Sequence, residues 1–256
     1  MALTWARRKQ AIVIGGFSAA GLVLLSGIAF AIFYKVPTCT DGSQNGDETG
    51  IDCGGSCEHL CRADVQAPNV SSLPAFARAI AYSGRTDVVA YVENRNPHAE
   101  AKDARYTVEA YDAEGRLLGS SQGVVDLPAR SVAPIFVPNV VMGVGTAARA
   151  FVEIDADTKW RAPRGGDDAL SLGTPELVLG PAPRVRVAVE NRSASTLPGR
   201  ELVAVVRDAS GEVLAASQTV LRPLLAYGSA VATFTWYEPL PEGATRVEVR
   251  AVPVLP

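Results

Sequence analysis

The chain has 256 residues, enough for one large domain or two small ones. Hydrophobic residues make up 48% of the sequence and charged residues 20%, a composition that excludes general disorder. With 2 His and 2 Met, the chain has few side chains for histidine catalysis or for a Met-rich site, and a net charge of −3 gives no whole-chain indication of nucleic-acid binding.

An uncharged apolar segment covers residues 11–34. As a helix it would be about 36 Å long, enough to cross a hydrocarbon core of about 30 Å. The basic residues at 7–9 (Arg-Arg-Lys) favour a cytoplasmic tail at 1–10 and an extracytoplasmic bulk of the chain. We therefore predict a single-pass helix at 11–34 that anchors the chain in the cell membrane. A cleaved signal peptide is the alternative, because residues 29–31 (Ala-Phe-Ala) have the small-x-small form of a cleavage site.

All four cysteines lie in a module predicted at residues 36–62, at Cys39, Cys53, Cys57 and Cys61. Outside the cytoplasm, an even and clustered set of cysteines indicates disulfide bonds, which would stabilise a segment that has no apolar run. Four cysteines allow three pairings, and the sequence does not choose among them. The alternative is a zinc site in which Cys53, Cys57 and Cys61 are joined by Cys39 or His59 as the fourth ligand.

The same module is acidic, and residues 39–61 contain no Lys or Arg. Carboxylate, amide and main-chain oxygens are the ligands of calcium, so uncompensated acids in a constrained loop are compatible with a calcium site. The residues predicted to bind the ion are Asp41, Asn45, Asp47, Glu48 and Asp52. Asp, Asn and Gly are also the residues of tight turns, and a purely structural role is the other interpretation.

The pattern of residues 39–57 (Cys-x-Asp-Gly-x-x-Asn-x-x-Glu-Thr-x-x-Asp-Cys-Gly-Gly-x-Cys) resembles a cysteine-rich motif of bacterial surface and secreted proteins. In those proteins the motif often stands just after an anchor or beside β-sandwich domains. The resemblance implies a small extracellular module, and it does not specify a ligand.

A repeat with an offset of 96 to 97 residues follows a linker predicted at 63–74. The aligned blocks are 87–95 with 184–192, 111–118 with 207–214, and 121–122 with 217–218. The repeat predicts two copies of one domain, at 75–157 and 175–256, joined by a second linker at 158–174.

Both copies have the alternation of apolar and polar residues that is typical of β-strands. In the first copy, Val88, Ala90 and Val92 are predicted to be buried, and Val89, Tyr91 and Glu93 to form a wetter face. In the second copy the corresponding sets are Val185, Val187 and Val189, against Arg184, Arg186 and Ala188. With five or more short strands per copy, the predicted fold class is mainly β: two tandem Ig-like β-sandwiches after one transmembrane helix and a small disulfide-rich module.

The order of strands, with an Asp-x-x-Gly turn at 112–115 and again at 208–211, resembles the Ig-like modules of exported bacterial proteins, including those named for a Phe-x-Leu-Tyr-Asp motif. Here that motif is degenerate, as Val-Glu-Ala-Tyr-Asp at 108–112. The whole arrangement of anchor, cysteine module and sandwiches looks like uncharacterised membrane-anchored bacterial proteins. This resemblance implies the fold and the location, without an assigned activity.

The sequence contains no catalytic motif with the expected spacing. His59 and His98 are isolated, and the acidic pair Asp167-Asp168 lies in a glycine-rich linker. We therefore predict a protein that is not an enzyme and that binds an envelope or surface protein, without a nucleic-acid partner or a small-molecule substrate. A structural spacer in an envelope complex is one alternative, and an enzyme with a site between its domains is another.

Overall fold

The structure is a computed structural model that describes residues 5–34, 36–70, 78–82, 84–143, 145, 147–165 and 169–256. Asp167, Asp168 and the last residues of the first predicted linker, 71–74, lie outside the described residues. The structure confirms the predicted fold class, because it consists of one N-terminal helix, two disulfide bonds and antiparallel sheets.

Helix α1 (Trp5–Phe33) covers the predicted anchor except for its last residue, Tyr34, and begins before it, so that the basic residues 7–9 lie in its first turns. The most apolar 18-residue stretch of α1 has a mean hydropathy of 2.1, and none of that stretch is buried against the rest of the chain. The helix is therefore long and apolar enough to cross a membrane as a single span.

The first sandwich has two antiparallel layers. Its strands are β1 (Asn69–Val70), β2 (Arg78–Tyr82), β3 (Arg85–Asn94), β4 (Ala101–Tyr111), β5 (Leu117–Leu127), β6 (Ser131–Met142) and β7 (Arg149–Ile154). In one layer, β3 pairs with β6 on one side and with β1 and β2 on the other. In the second layer, β4 lies between β5 and β7.

The second sandwich repeats this arrangement strand for strand. Its strands are β8 (Leu170–Leu172), β9 (Glu176–Val178), β10 (Arg184–Asn191), β11 (Arg200–Arg207), β12 (Val213–Leu221), β13 (Ser229–Thr235) and β14 (Arg246–Ala251). Strand β10 pairs with β13 on one side and with β8 and β9 on the other, while β11 lies between β12 and β14. The sequence repeat is thus also a repeat of topology.

Parts of both predicted linkers belong to these sheets. Strand β1 lies within residues 63–74 and pairs with β3, and strand β8 lies within 158–174 and pairs with β10. In each sandwich two short strands, β1 and β2 or β8 and β9, pair along the same side of the central strand. The linker between the two copies is therefore shorter than the sequence predicts.

Each sandwich has its own apolar core between its two layers. In the second, Val185, Val187 and Val189 of β10 are buried, and the Arg184, Arg186 and Ala188 face is exposed, as predicted. The alternation of polar and apolar residues therefore reports correctly on a strand that has water on one side.

The predicted wetter face of β3 is wrong for two of its three residues. Val89 and Tyr91 are buried, because this face of the sheet packs against the second sandwich rather than against water. The outer face of β11 packs there as well, with Val203 and Val205 fully or almost fully buried. The two sandwiches therefore share a third apolar cluster, and both β3 and β11 are buried on both faces.

Candidate functional site

The structure resolves the cysteine pairing that the sequence leaves open. Cys39 bonds to Cys57 and Cys53 bonds to Cys61, and no free cysteine remains among the described residues. All four sulfur atoms are in disulfide bonds, so they are not available as the thiolate ligands that the zinc alternative requires. The two bridges interleave along the chain and cross-link a segment with little core of its own.

The glycines between Cys53 and Cys57 are required by backbone geometry. Gly55 has a φ of +57°, and a Cβ at this position would lie 2.1 Å from the carbonyl oxygen of Asp47. Any larger residue would both strain the backbone and collide with that carbonyl. The Cys-Gly-Gly-x-Cys pattern is therefore explained by the close approach of two chain segments.

The carboxylates predicted to bind calcium accept hydrogen bonds within the module. Asp41 accepts from the Ser43 N–H through Oδ1 (2.9 Å) and from the Asn45 side-chain amide through Oδ2 (2.8 Å). The Gly42 N–H donates to both oxygens of Asp52, at 3.0 and 3.1 Å. The Asp41–Ser43 bond is that of an Asx turn, and the other bonds link Asp41 to Asn45 and Asp52 to Gly42 across the loop.

The remaining two predicted carboxylates are held in the same way. Glu48 accepts from the Asn45 N–H through Oε2 at 3.2 Å, and Asp47 accepts from the Ser56 hydroxyl through Oδ1 at 2.8 Å. The turn interpretation therefore accounts for Asp41, Asp47, Glu48 and Asp52 without an ion.

The structure brings only part of the predicted calcium set together. Among the His, Cys, Asp and Glu side chains of the described residues, the one group of three ligand atoms within 4.8 Å of one another is Cys39, Glu48 and Cys57, and both cysteines are in a disulfide bond. The Oδ1 atom of Asn45 is buried without a hydrogen-bond partner. Calcium binding stays a prediction.

The disulfide module is docked on the first sandwich. The Leu60 N–H donates to the carbonyl of Trp160 at 2.8 Å, and the Trp160 side chain is buried in the first core. Glu58 forms an ion pair with Arg164 beside this contact. Leu60 itself packs against the same core, so the module and the sandwich share apolar contacts.

A buried ion pair joins this contact to the end of the second sandwich. Arg161 donates through Nε to Glu100 at 2.9 Å, and both side chains are almost completely buried. The same guanidinium donates to the main-chain oxygen of Pro256 at 2.9 Å. Nearby, the Leu255 N–H donates to Asp126 of β5 at 2.6 Å. The segment after β14 therefore returns to the first sandwich.

A polar group stands in the apolar contact between the sandwiches. The Tyr91 hydroxyl donates to Glu248 at 3.2 Å, and the guanidinium of Arg250 lies 5.3 Å from the centre of the Tyr91 ring. Burial, reinforced by the charge of Glu248, raises the pKa of Tyr91 to about 12. Tyr91 is therefore a neutral donor at physiological pH, and its hydrogen bond orients one sandwich on the other.

A cleft of about 510 Å³ opens between the two sandwiches. Arg85 and Asp87 line it from the first sandwich, and Trp236 and Tyr237 from the second. Burial raises the pKa of Asp87, although the Asn139 N–H and Arg85 lower it. Asp87 is the one carboxylate in the lining of this cleft.

The sequence analysis does not predict the residues that join the two sandwiches, although the repeat contains one indication of them. Val89 and Tyr91 correspond, at the repeat offset, to Arg186 and Ala188, so the outer face of β3 is more apolar than the equivalent face of β10.

No protein-family model matches the chain, and no curated protein matches it. The contacts described above therefore carry the functional proposal.

Proposed function

We propose that the chain is a membrane-anchored extracytoplasmic protein, without enzymatic activity, that mediates protein–protein interaction or assembly at the cell envelope through its two Ig-like sandwiches. The observation that carries this proposal is the union of the disulfide module and both sandwiches into one connected unit. Leu60–Trp160, Arg161–Pro256 and Tyr91–Glu248 contacts link its parts. Such a unit presents fixed surfaces and exposed strand edges, which are suited to docking.

The two disulfide bonds support an extracytoplasmic location. Disulfides persist in oxidising compartments, and the basic residues before the apolar helix favour retention of the N-terminus in the cytoplasm. The disulfide module follows α1 directly, and its contacts with the first sandwich would hold that sandwich at a fixed place above the membrane.

A reporter that is active only after export tests the orientation. Fused after Pro256 it should be active, and fused before Met1 it should be inactive. The reverse pattern would contradict the proposal, as would reduced cysteines in cells, because the module would then lack its cross-links.

Site-specific photo-cross-linking in native membranes tests the binding role. A photoreactive residue at Tyr237, which is 92% exposed beside the interdomain cleft, should capture a specific partner. The same residue at Leu179, which is 57% exposed elsewhere on the second sandwich, is the matched control. Absence of any specific cross-link from a set of positions that covers both sandwiches would contradict binding.

A structural spacer is the second candidate, favoured by the same connected contacts. Deleting one sandwich does not separate the candidates, because it would expose the apolar faces of β3 and β11. Surface substitutions that preserve length, such as Tyr237→Ala and Val220→Lys, are better suited. A spacer keeps its cellular function with these variants, whereas a binding protein loses its cross-linked partner and its function together.

A further inference from the structure

Strand β13 has a free edge. Among the described strands it pairs with β10 alone. The Asn191 N–H donates to the carbonyl of Gly228 at 2.9 Å, and Asn191 stands at the end of the β10–β13 ladder. Because hydrogen-bonded pairs alternate in an antiparallel ladder, the main-chain groups that point away from β10 belong to Ser229, Val231, Thr233 and Thr235. The Thr235 carbonyl accepts a hydrogen bond from the Ser217 hydroxyl of β12 at 3.1 Å, so the open part of the edge runs from Ser229 to Thr233.

A contact on the other side of β10 supports this alternation. The carbonyl of Ala188, which is opposite Val231, accepts a hydrogen bond from the Gly173 N–H at 2.9 Å, on the β8 side. Ala188 and Val231 are therefore not a hydrogen-bonded pair, and the N–H and carbonyl of Val231 face outward.

The equivalent edge of the first sandwich is blocked by proline. Pro134 of β6 is opposite Tyr91, as Val231 of β13 is opposite Ala188, and the two positions correspond at the repeat offset of 97. Proline has no N–H and prevents another strand from pairing there, which is one way in which proteins protect a sheet edge. Strand β13 contains no proline and no charged residue.

Exposed apolar side chains accompany the free edge. Val231 is 55% exposed, and Tyr227 and Tyr237, which flank the strand, are 73% and 92% exposed. Residues 225–237 contain no charge, so a second copy of the segment would meet no like-charge repulsion. A free edge with alternate apolar side chains is the surface that accepts an added strand.

The segment is self-complementary when it is paired with itself. In an antiparallel pairing centred on Ala232, Val231 of one copy is opposite Thr233 of the other, Ser229 is opposite Thr235, and Tyr227 comes level with Tyr237. Each outward-facing residue therefore meets another outward-facing residue, as a hydrogen-bonded pair requires. The pairs are β-branched with β-branched, hydroxyl with hydroxyl, and tyrosine with tyrosine.

We infer that β13 pairs antiparallel with β13 of a second copy of this chain, with a two-fold axis at Ala232, and so joins two copies through one continuous sheet. The inference rests on the proposed assembly function and names one partner for it. The interface is isologous and closed, so it produces a dimer rather than a filament.

Cysteine pairs in the full chain, purified in detergent micelles, test this register. Val231→Cys and Thr233→Cys proteins are prepared separately and then mixed under mild oxidation. Directly opposite residues have Cα atoms about 5.5 Å apart, within disulfide range, whereas position 231 lies about 7–8 Å from its own copy. We expect a disulfide-linked dimer in the mixture and none in either protein alone.

A matched pair of variants tests the edge itself. Val231→Pro copies the proline of the first sandwich, and Val231→Lys places two charges at the two-fold axis; each should convert the dimer to a monomer by light scattering. Val124→Lys, at a site of 57% exposure on β5, should leave the dimer intact. Near-ultraviolet circular dichroism identifies any variant that fails to fold, and Val231→Lys, whose side chain already faces water, provides the result if Val231→Pro does not fold.

The outcomes separate this inference from the function on which it rests. A monomer of the unchanged chain at all accessible concentrations would overturn self-pairing, as would a cross-link that forms as readily in the Val231→Cys or Thr233→Cys protein alone as in the mixture. Capture of a different protein at Val231, without self-cross-linking, would overturn it as well and would leave the proposed binding function standing. Because Tyr237 lies in the proposed dimer contact, its cross-link to a second copy supports self-pairing. Failure of all other positions on both sandwiches to capture a different protein, with the dimer retained, would count against binding of an envelope protein alone.

Discussion

Asn94 and Asn191, which are separated by the repeat offset of 97 residues, make the same set of buried hydrogen bonds in the two sandwiches. The Asn94 amide donates to the carbonyls of Ala99, Leu127 and Pro128. The Asn191 amide donates to the carbonyls of Ser195, Leu224 and Leu225, and the last two are at the same offset. Each asparagine therefore ties the end of a central strand to two loops, which explains why the sequence repeats it.

Replacement of either asparagine by alanine should destabilise its own sandwich by about 3 kcal/mol, because buried carbonyls lose their donor. Urea unfolding of the full chain in detergent micelles measures this loss. Trp160 reports on the first sandwich and Trp236 on the second, since each is buried in the core of its own copy.

Arg192→Ala is the control for Asn191→Ala. Arg192 is next in sequence, its side chain is 69% exposed, and it lies 3.8 Å from Glu190 in a surface ion pair. The control should change stability by less than about 1 kcal/mol. Equal effects of the two substitutions would show that the repeated amide has no special structural role.

The burial of a strand could be predicted from the sequence where one of its two faces is exposed to water. It could not be predicted where both faces of the strand are buried. Strand β10 alternates between polar and buried residues and was predicted correctly. The side chains of β3 also alternate between two faces, but Val89 and Tyr91 are covered by the second sandwich. A local sequence pattern does not indicate that a distant part of the chain packs on this face.

The candidate site shows the same division. The disulfide bonding could be predicted from the clustered cysteines and the predicted compartment, but the pairing depends on how the loop folds around the close contact of Gly55 with Asp47. Trp160 and Arg161, which contact Leu60 and Glu100, lie in a segment that the sequence predicts to be a linker, because two isolated residues produce no periodic signal. Pairing and docking are long-range properties, and spacing alone does not determine them.

Tyr91→Ala should weaken the contact between the sandwiches. The substitution copies Ala188, the residue at the equivalent position of β10, and it leaves a cavity and removes the donor to Glu248. We expect a loss of about 3 kcal/mol. We also expect the Trp160 and Trp236 fluorescence transitions to separate, because each core would unfold with less support from the other.

Leu179→Ala is the control for this experiment, since it removes a large apolar side chain from a position that is 57% exposed and lies outside the β13 segment. It should leave both transitions together and shift them by less than about 0.5 kcal/mol. Coincident transitions in the Tyr91→Ala protein would show that the sandwiches do not depend on this contact.

Asp87→Asn should stabilise the protein at neutral pH. Burial is the largest influence on Asp87 and raises its pKa above the ordinary 3.8, so its charged form is less favourable in the folded chain than in the unfolded chain. This destabilisation is absent below pH 3.8 and develops as the pH rises through the folded-state pKa. Asparagine keeps an acceptor for the Asn139 N–H, so the gain should be present at pH 7 and absent at pH 3.

Asp208→Asn provides a comparison of opposite sign. Hydrogen bonds from Ser210 and from the Glu212 N–H lower the pKa of Asp208, so its contribution to stability is present above pH 3.8 and is lost as the pH falls through the folded-state pKa. This variant should therefore be less stable than the unchanged chain at neutral pH. A loss of stability at pH 7 in Asp87→Asn would instead show that the attraction of Arg85, 3.9 Å away, outweighs burial.

Asp52 distinguishes the two interpretations of the acidic module. It has a φ of +55° and accepts the Gly42 N–H, so as a turn residue it needs an acceptor and a tolerance for left-handed backbone, and asparagine supplies both. On the turn interpretation, Asp52→Asn should shift the thermal midpoint little, Asp52→Ala should cost about 1 kcal/mol, and a chelator should change neither.

A calcium site requires the negative charge of Asp52 rather than a hydrogen-bond acceptor alone, so it predicts different relative effects of Asp52→Asn and Asp52→Ala. Calcium would then raise the thermal midpoint of the unchanged chain, a chelator would reverse the rise, and Asp52→Asn would abolish it as completely as Asp52→Ala. Because the carboxylates of Asp41, Asp47, Glu48 and Asp52 all accept hydrogen bonds within the module, we expect the result of the turn interpretation. A calcium-dependent rise that Asp52→Asn removes would establish the ion site instead, with the buried Oδ1 of Asn45 as the first additional ligand to test by Asn45→Ala.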